Sequence, residues 1–149
     1  MIPIQAMKFV RLCGPELKDN GAFTANGYVD LQGWGHLRIL FVLGDIDIGF
    51  GSTLASTPPL VEESDATGSG YTAVTSAALS ACPGADDDGK LYAIDVDLCK
   101  SHKRYMRVQA PTAGDGTAGV NACIIAILSR GAQSPISAAE AGLAELITA

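Results

Sequence analysis

From Lys90 to Leu98 the chain reads KLYAIDVDL, in which Tyr92, Ile94, Val96 and Leu98 alternate with Ala93, Asp95 and Asp97. A period of two puts the two sets on opposite faces of an extended strand, one apolar and one wet. KRYMRVQA repeats the alternation with Met106, Val108 and Ala110, so CKSHKR between them reads as the turn of an antiparallel pair. No helical stretch separates the apolar runs, which argues against the crossovers of an α/β fold.

The rest of the chain carries the same grammar. MKFVRLC is apolar and β-prone, and Gly14-Pro15 is expected to end that strand. In HLRILFVLG, Leu37, Ile39, Phe41 and Leu43 share one face, while His36 and Arg38 share the other with Leu40 and Val42. Its C-terminal half is therefore expected to be buried on both sides. LVEESD and YTAVTS flank Asp65–Gly70, whose small polar residues suit a hairpin loop. VNACIIAILS is apolar on both faces, which suits a central strand, a strand covered by a neighbouring subunit, or a helix of the same length. Ser137 followed by Glu140 fits a capping box, so a short helix is expected over 137–147. The expectation is an all-β single domain over 1–149: a β-sandwich or jelly-roll-like barrel of about seven or eight short antiparallel strands.

At 149 residues the chain is long enough for a real core. With 48% hydrophobic against 17% charged residues, disorder is excluded. A net charge of -6 leaves little electrostatic basis for binding nucleic acid. No segment approaches the roughly 18–20 apolar residues of a membrane helix, and MIPIQAMKFVRLCG lacks the pattern of a signal peptide.

Chemistry-bearing motifs are few. Gly84 and Gly89-Lys90 match part of a phosphate loop, but Leu91 replaces the Mg²⁺-binding hydroxyl and Asp86, Asp87 and Asp88 occupy the anion cradle. Those three aspartates lack the alternation of a Ca²⁺ loop and read as a solvated acidic turn. Asp45 and Asp47 read as strand-end carboxylates. Cys99 and His102 have half the spacing of a metal site, with His36 the other histidine of the chain. Cys13, Cys82, Cys99 and Cys123 contain no CxxC pair, which excludes a zinc ribbon or thioredoxin motif. They read as free thiols or as disulfides within or between subunits. No catalytic residue, cofactor or metal is expected.

Lys100, His102, Lys103, Arg104 and Arg107 form one basic cluster in an acidic chain. It reads either as a solvated edge or as a docking contact for an acidic partner. The apolar MIPIQAM, spanning 1–7, reads as an arm.

LVEESDATGSGYTAV, DDDGKLYAIDVDL, KRYMRVQA, TAGDGTAGVNACIIAILSR and the Ala/Glu-rich tail follow one another from Leu60 to Ala144. In this succession the chain resembles the small virion structural proteins of tailed bacteriophages that decorate or cement capsids, whose ESD-turn-[YFW]-T pattern the first motif follows. Ala66 stands where a second acidic residue is common, and Pro111 interrupts a smoother strand exit. The resemblance implies a non-enzymatic β-domain on the capsid surface, made in the host bacterial cytoplasm. It would bind the major capsid protein as a homo-oligomer, trimer or dimer, without nucleic acid or membrane. Contacts are expected through Met1, Ile2, Pro3 and Ile4 of the arm and through Lys100, Lys103 and Arg104. A tail, neck or head-completion protein and a carbohydrate- or receptor-binding β-module are the alternatives.

Overall fold

The computed structural model describes residues 6–18, 21–24, 27–46, 58–113, 119–132 and 139–144. The strands are β1 (Lys8–Lys18), β2 (Gly21–Thr24), β3 (Val29–Asp30), β4 (His36–Ile46), β5 (Leu60–Ser64), β6 (Thr72–Ala78), β7 (Leu91–Asp97), β8 (Tyr105–Ala113) and β9 (Val120–Ser129). One sheet has four strands in the order β1-β9-β4-β7, and the other has the order β2-β8-β5-β6 with β3 also on β8. β2 pairs with Gln109–Ala113 and β3 with Tyr105–Met106, so the two short strands form one interrupted edge.

All pairings are antiparallel, and they are nested: β1 with β9, β2 and β3 with β8, β4 with β7, β5 with β6. The chain is thus a long two-stranded ribbon wrapped over itself, closed where β4 meets β9 and β5 meets β8. This is the jelly-roll arrangement of two packed sheets. Its core lies between them. Leu37, Ile39 and Phe41 of β4 and Ile124, Ala126 and Leu128 of β9 face Val61 of β5 and Met106 and Val108 of β8, all essentially inaccessible to solvent. Each large side chain so buried contributes about 1.5–3 kcal/mol.

Three sequence expectations are corrected. Gly14-Pro15 does not end the first strand, because β1 runs to Lys18 across register shifts between Arg11 and Glu16. β1 lies at a sheet edge, where a proline with no N–H to donate is tolerated at a bulge. The residues CKSHKR do not join an antiparallel pair: β7 pairs with β4 in one sheet and β8 with β5 in the other. Adjacent strands with matching alternation are separated because the ribbon pairs early strands with late ones. Within the expected C-terminal helix, the described residues 139–144 form turns and a bend, and the remainder lies outside the described residues. Gly142 has a left-handed φ of 76° that interrupts helix propagation.

The turn at Gly142 docks on β1 instead. Phe9 N–H donates to the carbonyl of Ala141 at 2.7 Å, which occupies part of the open edge of β1. The hairpin expected around Asp65–Gly70 is present between β5 and β6, and VNACIIAILS forms a central strand.

Candidate interaction site

Three connections converge at one end of the sandwich: β3 to β4, β5 to β6, and β7 to β8. They are fixed by local hydrogen bonds. Asp30 Oδ1 accepts from Gln32 N–H at 3.1 Å, closing an Asx turn, and Gly33 takes a φ of 85°. Buried Ser64 donates its hydroxyl to the carbonyl of Ser69 at 2.6 Å and accepts from Ala66 N–H at 3.0 Å, shaping the hairpin loop from inside.

The contacts that tie these segments together run through carboxylates. Glu63 Oε2 lies 2.8 Å from His102 Nδ1 and accepts from the backbone N–H of Lys103 at 3.2 Å. Arg104 grips Asp30 with both arms of its guanidinium, at 3.0 and 2.7 Å. These hydrogen bonds hold the Asp30 carboxyl below its ordinary range, against the opposing effect of partial burial. Arg107 donates to Glu62 Oε2 at 2.8 Å and stacks 4.0 Å from the centre of the Tyr71 ring. Lys103 Nζ donates to a neutral acceptor, Thr72 Oγ1, at 3.2 Å. Lys100 is exposed and makes no ion pair among the described residues.

Between the loops lies a cleft of about 430 Å³. Its apolar wall is Leu31, Trp34 and Leu98, and its rim carries Lys100, Lys103 and Asp65. The basic cluster read from sequence is thus divided. Arg104, Arg107 and His102 are engaged with carboxylates, while the ammonium groups of Lys100 and Lys103 form no ion pair among the described residues. Trp34, Leu31, Glu63 and Asp65 were not among the sequence candidates, and the sole tryptophan of the chain was the one signal that could have marked the place.

A second surface is the outer face of the β1-β9-β4-β7 sheet. Cys123, Ile125 and Ile127 alternate with the buried residues of β9, as Leu40 and Val42 do with those of β4. These outward residues are half-buried by their neighbours, so the expected burial of β4 on both sides is only partial. Cross-strand register aligns Cys123, Val42 and Leu91 in one row and Ile125, Leu40 and Ala93 in the next. Leu91 is 63% exposed and Leu17, on β1, 55%. An apolar groove of about 360 Å³ runs over Pro15, Val42, Cys123 and Ile125. Charge returns at one corner, where Arg38 pairs in bidentate fashion with Asp95 at 2.8 and 2.9 Å.

The remaining sequence candidates are dispersed. The four cysteines differ in exposure: Cys13 is buried, Cys82 and Cys123 are half-buried and Cys99 is exposed. Cys13 is in register with Ile124 and shares its core-facing side, whereas Cys123 lies on the opposite face and donates to the Cys13 carbonyl at 3.3 Å. Neighbours along the sheet, these two thiols point away from each other. Cys99 Sγ lies 3.8 Å from the Gly35 carbonyl, while His102 bonds Glu63 and His36 contacts Ser129 and Asp95. Among the described residues no group of three or more His, Cys, Asp or Glu is placed to hold a metal ion.

In the phosphate-loop look-alike, the N–H of Gly84 is taken by Asp87 Oδ2 at 2.8 Å, and Lys90 Nζ by Asp87 Oδ1 at 2.8 Å. Hydrogen bonds from Lys90 and Gly84 hold the Asp87 carboxyl at about 2. Asp45 is exposed, and Asp47 lies outside the described residues. So do residues 1–5, and with them Met1, Ile2, Pro3 and Ile4 of the expected arm. No helix among the described residues is long and apolar enough to cross a membrane. Comparison with protein-family models, curated proteins and solved structures finds no match.

Proposed function

We propose that this chain is a non-enzymatic virion structural protein that binds the outside of a phage capsid and stabilises contacts between major capsid subunits, acting as a homo-oligomer. The observation that carries the reading is the outward apolar face of the β1-β9-β4-β7 sheet. In a sheet that packs its other face into the core, aligned rows of Cys123, Ile125, Leu40, Val42 and Leu91 form the kind of patch that marks association between proteins. The succession of motifs from Leu60 to Ala144 adds support, as does the jelly roll, an architecture that recurs in viral shells and also in lectins and cupins. A wrapped ribbon with most of its bonds internal suits a part whose work is to cover and brace.

A second copy is the occupant of the apolar face, since a self-complementary strip closes into a symmetric oligomer. Ile125→Lys places a charge at its centre without touching the core. Light scattering is expected to show an oligomer for the parent chain and a monomer for the variant, with weaker addition to particles lacking the protein. A monomeric parent chain that still saturates such particles would remove the oligomer from the reading, and failure to bind any particle would remove the capsid role.

A further inference from the structure

We infer that the cleft between Trp34 and Lys100 is a docking site for an acidic peptide segment of a partner protein, one that presents a carboxylate side chain next to an apolar one. The chemistry of the two walls differs, and each calls for one half of such a ligand. Leu31, Trp34 and Leu98 offer an apolar surface that water covers poorly, and Lys100 and Lys103 place two ammonium groups at its edge. In a chain of net charge -6 these two lysines are a local reversal of sign, and neither forms an ion pair among the described residues, Lys100 acting only at longer range on Asp97.

Their neighbours show the contrast. Arg104 and Arg107 are each bound to an acid at 2.7 and 2.8 Å, and the Glu63 contact anchors the backbone between them and the cleft. Arg104, which lines the cleft, is neutralised by Asp30, and the ammonium groups of Lys100 and Lys103 are left for a ligand. Such charges steer and orient association more than they add affinity.

The rim also limits the ligand. Asp65 also lines the cleft and would repel a run of negative charge. That disfavours a polyanion such as nucleic acid and favours one or two carboxylates held close to an apolar side chain. A volume of about 430 Å³ accommodates a few residues rather than a folded element. Identification of the partner as a shell subunit rests on the function proposed above; the chemistry of the cleft does not.

Trp34 is the only tryptophan in the chain, so its emission reports this cleft directly. The probe is the capped peptide Gly-Glu-Leu-Glu-Phe-Gly, compared with its Gln-for-Glu counterpart at low salt. The acidic peptide is expected to shift Trp34 emission saturably, with Kd of about 1 mM or tighter, while the amide peptide binds at least tenfold more weakly. Lys100→Ala with Lys103→Ala is expected to lose the acidic preference, and Lys100→Arg with Lys103→Arg to keep it.

No saturation up to about 10 mM, or equal binding of the two peptides, would overturn the proposal. So would saturation by glucuronic acid but not by the peptide, which would make the occupant a glycan. Particle binding is scored separately. A chain that binds the peptide but no particle sinks the capsid role alone, and one that binds particles but not the peptide sinks the cleft alone.

Discussion

One carboxylate oxygen, Glu63 Oε2, serves both His102 Nδ1 at 2.8 Å and the backbone N–H of Lys103 at 3.2 Å, tying the end of β5 to the connection between the two sheets. Both side chains of the pair are largely shielded, at 15% and 18% exposure. Removing the acceptor leaves two poorly hydrated donors without a partner. Glu63→Leu is therefore expected to lose about 1–3 kcal/mol in urea unfolding and to change Trp34 emission in the folded state. Glu63→Gln retains an acceptor for Lys103 and is expected to lose less; equal losses would contradict this role for the carboxylate.

Acid should weaken the same end of the molecule. Arg104 depresses the folded-state pKa of Asp30, and Arg38 that of Asp95. A group with a depressed folded pKa contributes stability that is present above the unfolded value, 3.8 for aspartate, and is lost as pH falls through the folded value. Because the Arg104 and Asp30 side chains are 48% and 40% exposed, solvent screening keeps the contribution of the pair small. Urea midpoints measured from pH 6 down to pH 2 are expected to fall below about pH 4, and less steeply for Asp30→Asn. An unchanged slope in that variant would show that the pair does not report on folding.

Gly142 tests the docked turn. A Cβ there would collide with the Phe9 carbonyl, and the φ of 76° is one that side chains rarely adopt. Gly142→Ala is expected to lower stability by about 1–3 kcal/mol, or else to free the turn and uncover the β1 edge. Thermal unfolding reads the first outcome and faster exchange of the Phe9 amide the second. A variant with unchanged melting and exchange would contradict the packing of this turn on β1.

The thiols should react in a definite order. Cys99 is exposed, whereas burial pushes the Cys123 thiol above its ordinary pKa, with Arg11 a weaker opposing influence. Alkylation of the folded chain at pH 8 is expected to label Cys99 first and Cys123 much later. Mass spectrometry of partially labelled protein checks the order, and early labelling of Cys123 would contradict its burial. If copies are linked by disulfides in oxidised particles, Cys99 is the expected partner.

The strands were legible where alternation was strong, as in KLYAIDVDL and HLRILFVLG, because period-two patterning is a local consequence of having one buried face. Their partners were not. Lys8 pairs with Leu128 and His36 with Asp97, and nothing local distinguishes such nested pairing from the sequential hairpins that KLYAIDVDL and KRYMRVQA suggest. Pro15 misled because its effect depends on lying at an edge, which only the assembled sheet decides. Within the tail, residues 139–144 have helix-forming composition, but Gly142 takes a left-handed φ and the turn docks on β1 through Phe9 and Ala141.

The candidate site was legible only as a basic cluster. Whether each basic side chain is engaged depends on acids far along the chain, 74 residues away for Arg104 and 39 for His102. Sequence reading named Lys100, Lys103 and Arg104 together, with no means of showing that Arg104 is bound to Asp30 or that Trp34 lines the same cleft.

Cryo-electron microscopy of phage particles assembled with this chain tests the central reading most directly, by counting copies and locating them. The expected result is many copies on the outer shell at symmetry axes, with the β1-β9-β4-β7 faces packed against one another and the Trp34 cleft turned toward a capsid subunit. A few copies at a tail or neck, or none on any particle, would contradict it.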